Sequence, residues 1–142
     1  MKLVKHLLDT KGRYIISITP DASVFDAIRL MADRSVGSLL VMQDDKLLGI
    51  VTERDYARKV IIKGRSSKST TVSDIMTTDL VTTSADQTVN QCMGQMTDRR
   101  IRHLPVIEDT KVVGLISIGD IVQAVIADQQ EEIAHLEQYI TS

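Results

Sequence analysis

Residues 49–55 read Gly-Ile-Val-Thr-Glu-Arg-Asp, and residues 114–120 read Gly-Leu-Ile-Ser-Ile-Gly-Asp. One pattern, Gly-x-x-[Thr/Ser]-x-x-Asp, therefore occurs twice at an offset of 65 positions. The offset extends beyond the pattern: when residues 21–55 are laid over residues 86–120 without a gap, 11 of the 35 aligned positions are identical. A match of this length is not expected by chance, so the chain consists of two copies of one unit.

Each copy has apolar periods in the order β-α-β-β-α, which predicts a mixed α/β (α+β) fold. The first copy predicts a strand over 14–18, a helix capped by Ser23 and ending near Gly37, strands over 39–42 and 47–51 joined by a turn at 44–45, and a helix from Asp55 to Gly64.

The second copy predicts the same elements in the same order. These are a helix capped by Thr88 with Gln91, strands over 104–107 and 112–117, and a last helix over residues 121–139. The polar stretch 64–71 has no apolar period and is interpreted as a linker. We therefore place the first repeat at residues 1–72 and the second at residues 73–142.

The composition is that of a soluble globular protein and argues against several functional classes. Hydrophobic residues make up 43% of the 142 residues, yet no apolar run is long enough for a membrane span or a secretory signal. A net charge of −2 and 3% aromatic residues are atypical of nucleic-acid binding. The single cysteine, Cys92, predicts a reducing, cytoplasmic location, and the three histidines lack metal-ligand spacing.

The sequence contains no phosphate-binding glycine loop and no nucleophile elbow, so we expect no catalysis. The repeated pattern itself allows two interpretations that are compatible with each other. Thr52 and Ser117 are typical helix caps, with Asp55 and Asp120 in the first helical turn. The same carboxylates are also suited to accept the hydroxyls of a ribose.

A second candidate is the cluster of cations at residues 99–103, Arg-Arg-Ile-Arg-His. It is either a solvated helix end or an anion site, since arginine offers forked donors to phosphate. The first repeat has Gly37 and Ser38 where the second has Arg102 and His103. Two ligand sites built from these repeats would therefore be unequal.

A third candidate is the basic run over residues 54–68, which has six basic residues and one acid. The run is either a solvated helix face or a positive patch for an anionic partner.

Taken together, the doubled β-α-β-β-α unit, the repeated pattern and the stretch Arg102-His103-Leu104-Pro105-Val106 resemble a tandem pair of CBS domains, also called a Bateman module. The resemblance covers about residues 9–127. It implies two repeats packed with pseudo-twofold symmetry through their sheets, with adenosine compounds bound in clefts between them. The better-known members carry a partner domain, whereas we expect this chain to act as a stand-alone pair.

The resemblance also implies roles for particular residues. Asp55 and Asp120 would bind ribose, and Arg102 and His103 would meet the phosphate of the nucleotide held by Asp55. From the inequality of the two repeats, and not from the resemblance, we infer that the Asp120 site takes a longer ligand such as NAD or uses Arg65. The full set of implied nucleotide-binding residues is Ile18, Thr19, Val36, Gly37, Ser38, Thr52, Arg54, Asp55, Arg65, Thr82, Thr83, Ile101, Arg102, His103, Pro105, Ser117 and Asp120.

The sequence hypothesis is thus a cytoplasmic sensor that binds an adenine nucleotide (AMP, ADP, ATP or NAD) without catalysis and without a metal. We expect a homodimer that signals to another protein, and no membrane or nucleic-acid partner. The apolar stripe of the last helix needs a cover, which either the rest of this chain or a second copy would supply. Two alternatives stay open: a structural or dimerisation module with vestigial clefts, and a nucleic-acid-binding protein that uses the run 54–68.

Overall fold

The structure, a computed structural model, describes residues 2–141. Its elements in chain order are α1 (Val4–Lys11), β1 (Ser17–Ile18), α2 (Val24–Arg34), β2 (Ser38–Gln43), β3 (Lys46–Thr52), α3 (Glu53–Tyr56, continued by a π-helical turn over Ala57–Ile61), α4 (Val72–Ile75), α5 (Val89–Arg99), β4 (His103–Glu108), β5 (Lys111–Ser117) and α6 (Ile118–Thr141).

The chain forms two units that are not the two halves of the sequence. Residues 15–80 form one unit, which we call the Asp55 unit. Residues 1–14 and 81–142 form the other, which we call the Asp120 unit. The predicted boundary between residues 72 and 73 separates the two repeats along the chain, whereas these two units group the residues that contact one another.

The Asp55 unit is built on a three-stranded sheet in the order β1-β2-β3. β1 runs parallel to β2, and β2 and β3 form an antiparallel hairpin. Its turn residues Asp44 and Asp45 have φ of 52° and 65°, a left-handed conformation that aspartate tolerates. α2 buries Val24, Ala27 and Met31 against the sheet, at the spacing of one helical face.

The Asp120 unit repeats this plan with a reduced first strand. β4 and β5 pair antiparallel, and Thr83 alone bridges Val106 in parallel, in the place of β1. α5 buries Val89, Cys92 and Met96 against these strands. Among residues 2–141, no helix has the length and apolar character needed to cross a membrane.

Helix α1 lies in the core of the Asp120 unit, although it precedes the first repeat's strands in sequence. Its residues Val4, Leu7 and Leu8 are buried there. A Cβ on Gly114 would lie 2.7 Å from Leu8 Cδ2, so α1 packs directly over the glycine of the repeated pattern. Gly49 is crowded in the same way, because its Cβ would lie 2.7 Å from the Thr77 carbonyl oxygen. The glycines of the pattern are thus needed for close packing.

The sequence predicted the type and order of the β-α-β-β-α elements, except that the first strand of the second repeat is reduced to the Thr83–Val106 bridge. The other differences lie at the ends of the elements. The strand expected over 14–18 is confined to Ser17–Ile18, and α2 ends at Arg34 with Ser35 left-handed, before Gly37. The helices expected to start at 55 and 121 start at Glu53 and Ile118, because Thr52 caps the first. The sequence analysis missed α1 and α4, which are short and have few periodic positions.

Candidate functional site

In the Asp55 unit, the repeated pattern forms a reciprocal capping box where β3 passes into α3. The Asp55 backbone N–H donates to Thr52 Oγ1 at 3.1 Å, and the Thr52 backbone N–H donates to Asp55 Oδ2 at 3.0 Å. The helix-cap interpretation is therefore confirmed for this residue pair. The box also fixes the direction of the carboxylate, which is what a ligand-binding carboxylate requires.

The Asp120 unit has the same box at the junction of β5 and α6. The Ser117 N–H donates to Asp120 Oδ2 at 2.8 Å, and the Asp120 N–H donates to Ser117 Oγ at 3.2 Å. The two carboxylates are thus held by the same pair of backbone hydrogen bonds, to which the Asp55 unit adds a bond from the Thr52 hydroxyl to Asp55 Oδ2 at 3.2 Å.

The surroundings of Asp55 engage both of its carboxylate oxygens. Lys59 Nζ lies 3.0 Å from Oδ1, and the Thr77 hydroxyl donates to the same oxygen at 3.4 Å. Asp55 is only 8% exposed. A ribose hydroxyl would therefore share oxygens that already accept hydrogen bonds, using their remaining lone pairs.

Asp120 is more open than Asp55. Lys11, from α1, approaches Oδ2 to 2.6 Å and also donates to the Leu115 carbonyl at 2.6 Å. Within residues 2–141, Asp120 Oδ1 accepts no hydrogen bond. This leaves one carboxylate oxygen available to a ligand hydroxyl. The sequence analysis missed Lys11, which lies 109 positions away from its partner.

Arg102 and His103 lie at the start of β4, in the same unit as Asp120. His103 faces Ser117 across the β4–β5 pair, and the Arg102 carbonyl accepts the Ile118 N–H at 2.9 Å. Burial lowers the pKa of His103. The positive charges of Lys11 and Arg102 lower this pKa further, whereas the negative charge of Asp120 raises it. The assignment of this cationic pair to a nucleotide held by Asp55 stays a prediction.

The pKa of His103 makes a testable contribution to stability. The unfolded chain takes up the His103 proton near pH 6.5, whereas the folded chain requires a lower pH. Between these values the unfolded state binds more protons, so the free energy of unfolding falls as the pH drops below 6.5. We expect His103→Gln to reduce this dependence, measured by urea unfolding between about pH 5 and pH 8.

The exposed histidine His135 provides the matched control for this prediction. His135→Gln should retain the pH dependence of the parent chain. An equal loss of pH dependence in both variants would contradict the role assigned to His103.

The other predicted residues of the Asp55 unit lie near the capping box, against the core or on the surface. The Gly37 carbonyl accepts the Glu53 N–H at 3.1 Å, and buried Ser38 pairs with Thr52. Val36 and Ile18 pack on the core. The three remaining polar residues, Thr19, Arg54 and Arg65, are exposed, and Arg65 lies 3.5 Å from Asp74.

In the Asp120 unit, the predicted residues divide between the core and the surface. Thr83 is buried: its N–H donates to the Pro105 carbonyl, its carbonyl accepts the Ile107 N–H, and its hydroxyl lies 3.3 Å from Cys92 Sγ. The role of Thr83 in nucleotide binding stays a prediction. Pro105 is buried and Ile101 packs on the core, while Thr82 and Arg102 are exposed.

The comparisons with known proteins decide the family. The CBS domain model matches residues 6–62 and again residues 72–127. The chain belongs to the CBS domain family. The resemblance found in the sequence is thereby confirmed, including the tandem arrangement and the mixed α+β fold.

Relatives and solved structures of CBS proteins agree with this membership. The CBS domain-containing protein CBSX3, mitochondrial, of Arabidopsis thaliana is 48% identical over 127 residues, 86% of this chain and 62% of the relative. The chain thus spans less than two thirds of that relative. The CBS-domain containing protein ATU1752 of Agrobacterium tumefaciens has a TM-score of 0.84 at 40% identity, covering 87% of this chain and 98% of that one.

A third neighbour is the CBS domain pair of protein MJ0100, solved in complex with 5-methylthioadenosine and S-adenosyl-L-methionine. It superposes with a TM-score of 0.80 at 25% identity and covers 90% of this chain and 98% of that one. In the part of the chain that the structure describes, no three His, Cys, Asp or Glu side chains are grouped to hold a metal ion.

Proposed function

We propose that this CBS pair is a non-catalytic regulatory module that binds an adenosine-containing ligand through the carboxylates of Asp120 and Asp55. The observation that carries the proposal is the free Oδ1 of Asp120, on a carboxylate oriented by the Ser117 box. A ribose offers two hydroxyl donors, and a carboxylate is an acceptor-only group suited to both. The MJ0100 pair, with its two adenosine ligands, supports this ligand class.

The exposed cation Arg102, which the resemblance assigns to the phosphate of the nucleotide held by Asp55, favours a ligand that also carries an anionic group. AMP, ADP, ATP and NAD all combine a ribose with phosphate, and they are the candidates we propose. S-adenosylmethionine, with a carboxylate and a sulfonium, is the further candidate that the MJ0100 structure supplies.

The chemistry of Cys92 supports a binding role rather than a catalytic one. Cys92, the one thiol in the sequence, is fully buried, and burial raises its pKa, with the Thr83 hydrogen bond opposing. It therefore stays protonated and is a poor nucleophile at neutral pH.

A ligand panel tests the proposal on the full chain. Thermal unfolding is measured with AMP, ADP, ATP, NAD, S-adenosylmethionine and 5-methylthioadenosine, with GMP as the control that changes only the base of AMP. At about 100 times the dissociation constant a ligand adds about 2.7 kcal/mol, which raises the midpoint by about 5–10 °C for a chain of this size. We expect this rise for at least one adenosine ligand and none for GMP.

Two results would contradict the proposal. One is a panel without any shift, or with equal shifts for AMP and GMP, which would remove the adenosine assignment. The other is chemical conversion of the bound ligand, monitored by chromatography after incubation, which would remove the non-catalytic role.

A further inference from the structure

Helix α1 brings a lysine to the carboxylate of Asp120. Leu7 and Leu8 are buried in the Asp120 unit, and Lys11 follows them on the same face of the helix. Lys11 Nζ lies 2.6 Å from Asp120 Oδ2 and donates to the Leu115 carbonyl at 2.6 Å. The side chains of Lys11 and Asp120 are only 26% and 17% exposed. The two charges are therefore screened by water much less than charges at the surface are.

The Asp55 unit reaches the same arrangement with a residue from another place in the sequence. Lys59 Nζ lies 3.0 Å from Asp55 Oδ1 and donates to the Ile75 carbonyl at 2.9 Å. Lys59 follows its aspartate by four positions, whereas the residue four positions after Asp120 is Ala124. The two lysines thus do not hold equivalent positions in the repeats, yet each ammonium joins the aspartate of the repeated pattern to a backbone carbonyl.

The lysine changes what a ribose-binding carboxylate can accept. A carboxylate that binds the ribose hydroxyls of AMP also repels the phosphate that is attached to the same ribose. With no counter-charge, Asp120 would therefore favour neutral adenosine over AMP. Lys11 cancels this repulsion at its source. It does so through Oδ2, while Oδ1, which accepts no hydrogen bond from residues 2–141, is left for a ligand hydroxyl.

The neighbouring cationic side chains do not take over this role. Burial lowers the pKa of His103, so its imidazole is neutral at about pH 7.5 and adds no charge. Arg102 is exposed, and its predicted role concerns the nucleotide held by Asp55. Within the described residues 2–141, the cation that forms an ion pair with Asp120 is Lys11.

We propose that the charge of Lys11 sets the specificity of the Asp120 site for the group attached to the ribose. With Lys11 in place the site admits adenosine ligands that carry a phosphate, and without this charge it prefers neutral and cationic ones. The inference rests on the proposed binding of ribose by Asp120. It adds the residue that determines which adenosine ligands are accepted there.

Obstruction of the site by Lys11 is the competing interpretation, since a lysine on the carboxylate could exclude ligand hydroxyls. Lys11 and the Ser117 N–H both contact Oδ2, however, so a ribose hydroxyl can bind Oδ1 while the ion pair stays intact. The two interpretations differ in their consequences. Removing an obstruction strengthens the binding of every ligand equally, whereas removing a charge changes the order of affinities.

Three ligands that share adenosine and differ in charge test the proposal. They are AMP, which is anionic, adenosine, which is neutral, and S-adenosylmethionine, whose net charge is positive. Titration calorimetry at about pH 7.5 uses the full chain with Asp55→Ala, so that binding at Asp120 dominates the signal. We expect Lys11→Met to weaken AMP relative to adenosine at least about tenfold, and to strengthen S-adenosylmethionine relative to adenosine, because Asp120 then acts with its full charge.

A double variant separates charge balance from direct contact with phosphate. Lys11→Met combined with Asp120→Asn removes both charges. Adenosine and AMP should then both bind more weakly, but the ratio of their dissociation constants should return to within about threefold of the parent value. A ratio that stays as it is in Lys11→Met alone would assign a direct phosphate contact to Lys11 and overturn the charge-balance role.

The controls keep either the charge or the site. Lys11→Arg preserves the positive charge, and Lys5→Met makes the neutral substitution at an exposed residue of the same helix. Both variants should keep the parent order of affinities. Thermal unfolding without ligand confirms that each variant is folded. If Lys11→Met does not fold, Lys11→Gln replaces it, since its amide can donate to Asp120 without carrying a charge.

The possible failures can be told apart. An order of affinities that is unchanged in Lys11→Met, or an equal gain for all three ligands, would overturn this inference and leave the proposed function standing. A change in order equally large in Lys5→Met would also overturn it. If none of the three ligands binds the parent chain, the proposed function fails and this inference fails with it.

Discussion

Asp120→Ala is expected to lower the affinity of the Asp120 unit for an adenosine-containing ligand at least about a hundredfold, because two ribose hydroxyls lose a charged acceptor and each such hydrogen bond contributes about 1.5–3 kcal/mol. The prediction rests on the free Oδ1 and on the orientation given by Ser117. Titration calorimetry on the ligand identified by thermal unfolding measures the effect.

Three further variants isolate the ribose contact. Asp120→Asn removes the charge but keeps one carbonyl oxygen, which can accept from either the Ser117 N–H or a ligand hydroxyl, so the affinity should fall less than in Asp120→Ala. Asp55→Ala should weaken ligand binding at the Asp55 site, which Asp120→Ala should leave unchanged. Asp86→Ala removes an exposed aspartate of the same unit and should leave the affinity as it is. Normal binding in both Asp55→Ala and Asp120→Ala would refute the ribose role.

Gly49→Ala is expected to destabilise the chain by about 2–4 kcal/mol, as overpacking and broken hydrogen bonds do. The added Cβ would meet the Thr77 carbonyl oxygen at 2.7 Å and Met76 Sδ at 3.0 Å. Thr77 exchanges backbone hydrogen bonds with Ile50 in both directions, at 2.9 and 3.0 Å. Moving Thr77 breaks these bonds and withdraws its hydroxyl from Asp55. The midpoint of thermal unfolding should fall by about 5–15 °C.

Two other glycines calibrate this prediction. Gly114→Ala introduces a contact of 2.7 Å with the terminal Cδ2 of Leu8, a side chain that can rotate, so its cost should be smaller than that of Gly49→Ala. Gly94, in α5, has nothing within 4 Å of an added Cβ. Gly94→Ala should stabilise the chain by about 0.5–1 kcal/mol, since alanine is the better helix former. An equal midpoint for all three variants would show that the close approach at Gly49 carries no cost.

How well the sequence predicts the structure depends on how far apart along the chain the interacting residues lie. The caps at Ser23 and Thr88, the left-handed turn at 44–45 and the apolar faces of α2 and α5 follow from residues within one or two turns of each other. Such local signals are readable in a single sequence, and here each occurs twice. They account for the correct order of elements and for the placement of Asp55 and Asp120 at strand-to-helix junctions.

The short helices could not be predicted in the same way. α4 has four residues, and α1 has eight, too few for a periodic pattern to distinguish them from a loop. Their helical state is stabilised by burial of Val72 and Ile75 in one unit and of Val4, Leu7 and Leu8 in the other. That burial is a property of the packed unit.

Local hydrogen bonding and apolar period thus determined the repeat, the element order, the capping boxes and the family resemblance from the residue order alone. Contacts across long separations were decided only by the tertiary structure: α1 joins residues 81–142, and Lys11 neutralises Asp120, 109 positions away. The same packing explains both glycines of the repeated pattern and makes the two carboxylates unequal. A single sequence holds no record of which distant residues meet, because that choice minimises the free energy of the whole unit.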